Sequence, residues 1–187
     1  MSADLLARAF ASTAGVLANV SDDQMELPTP CVSWTVRDLV NHIVGGTRHF
    51  AITAETGTAP SRSDTDHTAG DFKTEFREGA ARAVKAFSAE GAMDKPMKLP
   101  FGELPGSVFV LIASTDAFTH GWDLAKATSQ STDLDPIVAG QLLDAVQQFL
   151  PDDFRGPDGQ APFGPRVEVP DSASAADRLA GFMGRRV

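Results

Sequence analysis

The sequence predicts an all-α fold built as a helical bundle, and three observations predict it. Apolar residues recur at helical spacing in six stretches, and caps and breakers separate those stretches. With 42% hydrophobic residues, a chain of 187 can also bury one continuous core.

The elements follow in order. Ser2–Ala18 carries Leu5, Leu6, Ala9, Phe10, Thr13, Val16 and Leu17 at helical spacing. Ser21–Cys31, with Pro28 and Pro30, reads as turns. Thr35 is placed to cap a second helix, Asp38 completes a variant capping box, and Trp34 is placed to staple onto Leu39. That helix runs through Leu39, Val40, Ile43 and Phe50 to about Ala54. Thr56–Gly70 is polar and reads as a mobile loop. Asp71–Ala89 is the third helix, since Phe72, Phe76, Ala80, Ala83 and Phe87 trace one stripe. Gly91–Gly106 holds Pro96, Pro100 and Pro105 and cannot continue a helix. Ser107–Thr128 is the longest helical candidate, interrupted only by Gly121. Asp135–Pro136 caps and starts the next helix, which ends at Leu150. Pro151–Pro170 reads as an irregular arm with room for a short strand at Arg166–Val169, and a last helix spans Ser174–Met183.

Charge narrows the class of function. A formal net charge of −9 and a pI near 4.8 repel phosphate backbones and anionic lipid, so neither nucleic acid nor a membrane is an expected partner. No stretch approaches the ~18 uninterrupted apolar residues of a membrane span. The amphipathic start differs from a secretory signal, and a cytoplasmic protein is expected. Cys31 is the single cysteine, so neither an intramolecular disulfide nor a Cys-rich zinc site is possible.

The fourth helix carries the candidate chemistry. Phe109, Ala113, Asp116, His120, Leu124 and Ala127 share one stripe, so Asp116 and His120 stand where a core-facing helix needs Leu or Ile. A carboxylate there is costly unless paired or metal-bound, and i,i+4 spacing stacks both side chains on one face. The second helix offers His42 as a further donor, flanking its Leu39–Ile43 face. Two imidazoles and one carboxylate would leave an open position; such a set suits Zn²⁺ and also serves Fe(II). The same residues admit plainer readings. Asp116 and His120 also fit a buried ion pair or, with the stripe rotated, a solvated face, and His42 alone fits an ordinary half-buried histidine.

TPCVSWTVRDLVNHIVGG (Thr29–Gly46) and TDAFTHGWDLAKATSQ (Thr115–Gln130) resemble the DinB-like superfamily. More narrowly, they resemble the metal-binding domain of the mycothiol-dependent maleylpyruvate isomerase family and its short actinobacterial relatives. LPFGELPG (Leu99–Gly106) and APFGPRVEVPDSASAADRLAGFMGRR (Ala161–Arg186) are similar to the same group. The resemblance implies one DinB-like domain over residues 1–187, a four-helix bundle of about 1–150 followed by an arm and helix over 151–187. It implies a divalent metal held by His42, Asp116 and His120, most often zinc, with nickel or iron as alternatives. It further implies a low-molecular-weight thiol such as mycothiol as cofactor, an electrophilic substrate as partner, and thiol transfer, conjugation or isomerisation as the reaction. The alternative function is a metal- or ligand-binding module without turnover. The family's isomerase has Glu at the position of Asp116 and a longer C-terminal domain.

The remaining candidates read as structural. Trp122 extends the Val108–Leu111–Thr115–Thr119 line, and Asp123 beside it caps local hydrogen bonds or orients a ligand. His49 lies two turns beyond His42, on a similar face, and His67 sits in the polar loop without an expected role. Cys31 precedes the second helix, where a thiolate would be favoured, yet no base accompanies it. A homodimer is compatible with such a bundle, although no exposed stripe marks an interface.

Overall fold

A computed structural model describes residues 2–61, 63–157, 160–161 and 163–187. Helices α1 (Ala3–Ala18), α2 (Val36–Thr56), α3 (Phe72–Phe87) and α4 (Gly106–Ala127) form the bundle. α1 lies along α4 and α2 along α3, while α1–α3 and α2–α4 contacts close the ring. Two further helices, α5 (Pro136–Phe149) and α6 (Ala175–Phe182), pack on each other and against α4 from outside the ring.

Caps start the helices where the side chains offer them. Thr35 Oγ1 accepts from Asp38 N–H at 3.3 Å, and Asp38 Oδ2 accepts from Thr35 N–H at 2.9 Å. The box closes with Asp in place of the usual Glu. Asp135 accepts from the N–H groups of Ile137 and Val138 at the head of α5 and is clamped by Arg8 at 2.7 Å. At its other end α2 stops on Gly57, whose φ of +77° is a left-handed conformation that glycine adopts without penalty.

The apolar side chains divide into two clusters. Leu6, Phe10, Val40, Ile43, Phe76, Phe87 and Phe109 fill the ring, where Phe10 and Phe76 meet edge to face at 5.8 Å. Leu111, Phe118, Trp122, Leu142 and Leu179 form a second cluster under α5 and α6. α4 serves both, so it is buried on most sides, and the line through Val108, Ile112, Asp116 and His120 stays half-buried. The Leu111–Trp122 line therefore faces the second cluster, and Trp122 Nε1–H donates to Asp177 Oδ1 of α6 at 2.8 Å. Close approach of α1 to α4 depends on Gly121: a Cβ there would meet Thr13 Oγ1 at 2.5 Å. Thr13 uses that proximity to donate to the Ala117 carbonyl at 2.8 Å.

Three sequence expectations change. The Pro-punctuated stretch holds an antiparallel hairpin, β1 (Pro96–Leu99) with β2 (Gly102–Pro105), which seats Met97 fully in the core. Its prolines stand opposite each other at the open end, where a short hairpin loses least by lacking N–H groups. Arg166–Val169 forms no strand; Val167 N–H instead donates to the Gly181 carbonyl at 2.9 Å, tying the arm to α6. The stretch 56–70, of which Arg62 lies outside the described residues, is anchored near both ends. Ala59 N–H bonds Lys98 O at 2.9 Å, and a one-turn 3-10 helix, His67–Ala69, docks on α2. His67 is accordingly only 5% exposed, with Nδ1 2.8 Å from Glu75 Oε2 and its backbone N–H bonded to Asn41 Oδ1. It is a satisfied core histidine. Among the described residues no helix is long and apolar enough to cross a membrane.

Candidate metal centre

The Thr35 cap fixes where α2 begins, and His42 follows two turns later on the side facing α4. The segment before the cap is laced back on itself: Val36 N–H reaches Leu27 O at 3.0 Å and Trp34 N–H reaches Cys31 O at 2.7 Å. Thr29 Oγ1 lies 3.0 and 2.9 Å from the Cys31 and Trp34 carbonyls. This lacing holds the Trp34 ring against both imidazoles, 4.8 Å from His42 and 5.6 Å from His120 between centroids. Trp34, expected to staple onto Leu39, thus also covers the two histidines.

On α4 the i,i+4 spacing places Asp116 and His120 one turn apart. Asp116 Oδ1 lies 3.3 Å from His42 Nε2 and 3.6 Å from His120 Nε2. One ligand atom from each of His42, Asp116 and His120 falls within 4.8 Å of the others. The three residues singled out in the sequence therefore converge on one point. His49, half-buried and edge-on to Phe50 at 6.0 Å, is not among the converging donors.

The opposite edge of His120 is sealed. Its Nδ1 lies 3.0 Å from Asp123 Oδ2, and Asp123 is 0% exposed. Arg185 closes on that carboxylate from the far side, with Nε 3.1 Å from Oδ1 and Nη2 2.9 Å from Oδ2. The Cys31 thiol completes the group, its Sγ 3.3 Å from Asp123 Oδ2. The sequence leaves Asp123 between capping and orienting a ligand and favours a structural Cys31, and it misses Arg185, which lies 62 positions from Asp123 with no local pattern to announce it.

The electrostatics separate ligands from supports. Burial alone would push the Asp116 carboxyl up, but the charges of His42 and His120 outweigh it and hold it at about 2. Asp123 is likewise held at about 2, burial being overcome by the Arg185 charge and the hydrogen bonds from His120 and Arg185. Burial and the neighbouring Asp123 push the Cys31 thiol up to about 12, so it stands as a protonated S–H donor. Cys31, His120 and Asp123 also lie close enough together to suggest an ion. A neutral thiol and a carboxylate already engaged by a guanidinium make poor ligands, however. The His42–Asp116–His120 side has an ionised carboxylate, two imidazoles, and a side chain of Asp116 that is 27% exposed. This donor set fits one divalent cation with a position left for a further ligand.

A family model described as the mycothiol maleylpyruvate isomerase N-terminal domain matches residues 6–125. Two uncharacterized proteins of Mycobacterium tuberculosis, from two strains, are each 42% identical over 181 residues, covering 96% of this chain and 95% of theirs. Among solved structures, a DinB-like protein of Bacillus subtilis has a TM-score of 0.54 at 15% identity, over 69% of this chain and 92% of its own. The mycothiol-dependent maleylpyruvate isomerase has a TM-score of 0.58 at 18% identity, over 76% of this chain and 66% of its own. The helical bundle is the fold these structures share.

Proposed function

Because the chain belongs to the mycothiol maleylpyruvate isomerase N-terminal domain family, we propose that it binds one divalent metal ion and uses it to activate a low-molecular-weight thiol of the mycothiol type. The ligands in this reading are His42 Nε2, Asp116 Oδ1 and His120 Nε2. The observation that carries it is their convergence within 4.8 Å on two facing helices. Zinc is the first choice for two imidazoles and a carboxylate, with iron or nickel as alternatives.

When bound, the ion supplies Lewis acidity, lowering the pKa of a coordinated thiol so that a thiolate faces an electrophile. The chain's own residues would do the rest. Asp116, kept ionised, balances part of the metal charge. Asp123 accepts from His120 Nδ1–H, which leaves the Nε2 lone pair directed at Asp116 and the ion. Trp34 covers the imidazoles on one side and excludes water there. The reaction class that follows is thiol transfer, conjugation or thiol-assisted isomerisation.

A second reading keeps the ion and drops the turnover. It rests on the same converging donors, which can hold an ion whether or not a reaction follows. Elemental analysis of the purified protein beside His120→Ala tests the shared part. Near-stoichiometric metal in the parent and none in a folded variant supports the centre. An empty parent after loading with Zn²⁺, Ni²⁺ and Fe²⁺ refutes it. Titrating mycothiol into the metallated protein then separates the readings, since the thiol-activating one requires binding and a lowered thiol pKa.

A further inference from the structure

We propose that Arg185, which lies outside the segment matched by the family model, is a positioning residue for this centre. It acts through Asp123 to keep the proton of His120 on Nδ1 and the lone pair on Nε2. The inference rests on the metal reading only for what Nε2 binds.

Asp123 is a fully buried carboxylate on α4, with His120 on one side and Arg185 on the other. Without a partner on its far side this carboxylate would be free to rotate about its side-chain torsions, and Oδ2 would no longer be held at His120 Nδ1. With no acceptor fixed there, the imidazole is free to invert its tautomer, placing the proton on Nε2, the atom facing Asp116, and blocking it as a ligand.

Arg185 prevents this inversion. Its guanidinium contacts both carboxylate oxygens, Nε on Oδ1 at 3.1 Å and Nη2 on Oδ2 at 2.9 Å, a two-pronged, charge-assisted clamp. The clamp fixes the carboxylate in rotation as well as in charge, so Oδ2 stays aimed at Nδ1 at 3.0 Å. A lysine would keep the charge but lose the fork.

The turn that ends α6 delivers Arg185 to this spot. Arg185 N–H bonds back to Ala180 O at 2.9 Å, and Gly184 turns the chain with φ of +88°. Any Cβ on Gly184 would meet the Gly164 backbone at 2.8 Å, so glycine is required twice over. Arg185 Nη1 then donates to Met183 O at 2.9 Å, which leaves Nε and Nη2 for Asp123. A segment outside the bundle ring thereby governs a ligand inside it.

The experiment compares the parent with Arg185→Met and Arg185→Lys. Two quantities are read: Zn²⁺ affinity by competition with a chromophoric chelator, and the His120 tautomer by long-range ¹H–¹⁵N spectra of metal-free protein in alkaline buffer. The expectation is a predominant Nδ1–H tautomer in the parent, because Nδ1 lies 3.0 Å from Asp123 Oδ2 and Nε2 3.6 Å from Asp116 Oδ1. Arg185→Met should show a larger Nε2–H fraction and bind zinc roughly 10–100-fold more weakly. Arg185→Lys should fall between the two. An unchanged tautomer in Arg185→Met overturns the proposal, whatever happens to affinity. If Arg185→Met does not fold, Arg185→Lys and Arg185→Gln are read in its place, and the parent tautomer in both overturns it. A parent that takes up no ion refutes the metal reading, and the tautomer then decides this inference alone.

Discussion

Asp116 and Asp123 stand two turns apart on α4, on either side of the same histidine, and both are held at about 2. They differ in what holds them there. Among the described residues Asp116 pairs with the imidazoles of His42 and His120, and it keeps about a quarter of its side chain in contact with solvent. Asp123 has none of its surface exposed and is locked by an arginine. A carboxylate whose partners are themselves ligands is free to share an ion with them. One clamped by a permanent cation can only accept hydrogen bonds and orient what donates them. Identical residues on one helix thus take different duties from their far-side neighbours.

Removing each carboxylate tests this contrast most severely. Asp123→Ala leaves Arg185 with its charge unpaired, and breaking a buried pair in this way costs about 3–5 kcal/mol, read as a lower Tm in the metal-free protein. Acid provides a gentler version of the same break. Asp123 has a folded pKa below its ordinary 3.8, so its contribution is fully present above about pH 4 and is lost as pH falls toward 2. In a pH series of metal-free unfolding curves that loss should be on the order of 2 kcal/mol, and Asp123→Asn should remove it while leaving the share of Asp116, which is held at about 2 as well. Asp116→Asn should lie at the small end, within about 1 kcal/mol of the parent, because its pairs stay about a quarter open to water and are screened there. Its metal content should nevertheless fall to background by elemental analysis. Equal destabilisation by Asp116→Asn and Asp123→Ala would erase the distinction drawn here.

A last comparison concerns space. A Cβ on Gly46, one turn after His42, would meet Phe50 at 3.6 Å and Asp116 Oδ2 at 3.8 Å, both ordinary contacts. Gly46→Ala should therefore raise stability by up to about 1 kcal/mol through helix propensity alone. Weaker thiol binding to the metallated variant, measured by calorimetry, would mark the Asp116 side as the side of ligand entry.

Much of this was legible in the sequence where the cause is local. The Thr35 and Asp135 caps and the Phe72–Phe87 stripe depend on residues within a few positions of each other, and they fold as written. The i,i+4 placement of Asp116 and His120 is local in the same sense, whereas His42 was joined to them only through the family resemblance. What escaped is long-range. His67 looked like loop because its burial comes from Glu75 and Asn41, and α4 looked one-sided because α5 and α6 lie beyond its own window. Arg185 is one of two adjacent arginines after a short helix, and nothing local marks it until Gly184 turns it inward. The hairpin hid behind its prolines, which forbid helix without declaring strand.

The chain has two tryptophans and no tyrosine, one fully buried and one only partly so. Trp122 is buried, with its indole N–H fixed to Asp177, whereas Trp34 rests on the two imidazoles. Ultraviolet emission from this protein is therefore a two-channel signal with a built-in reference. Any cation placed between His42 and His120 alters the charge under the Trp34 ring and leaves Trp122 untouched. Trp34→Phe should silence the responsive channel and keep the constant one, so occupancy of the centre can be followed in solution without a dye or a label.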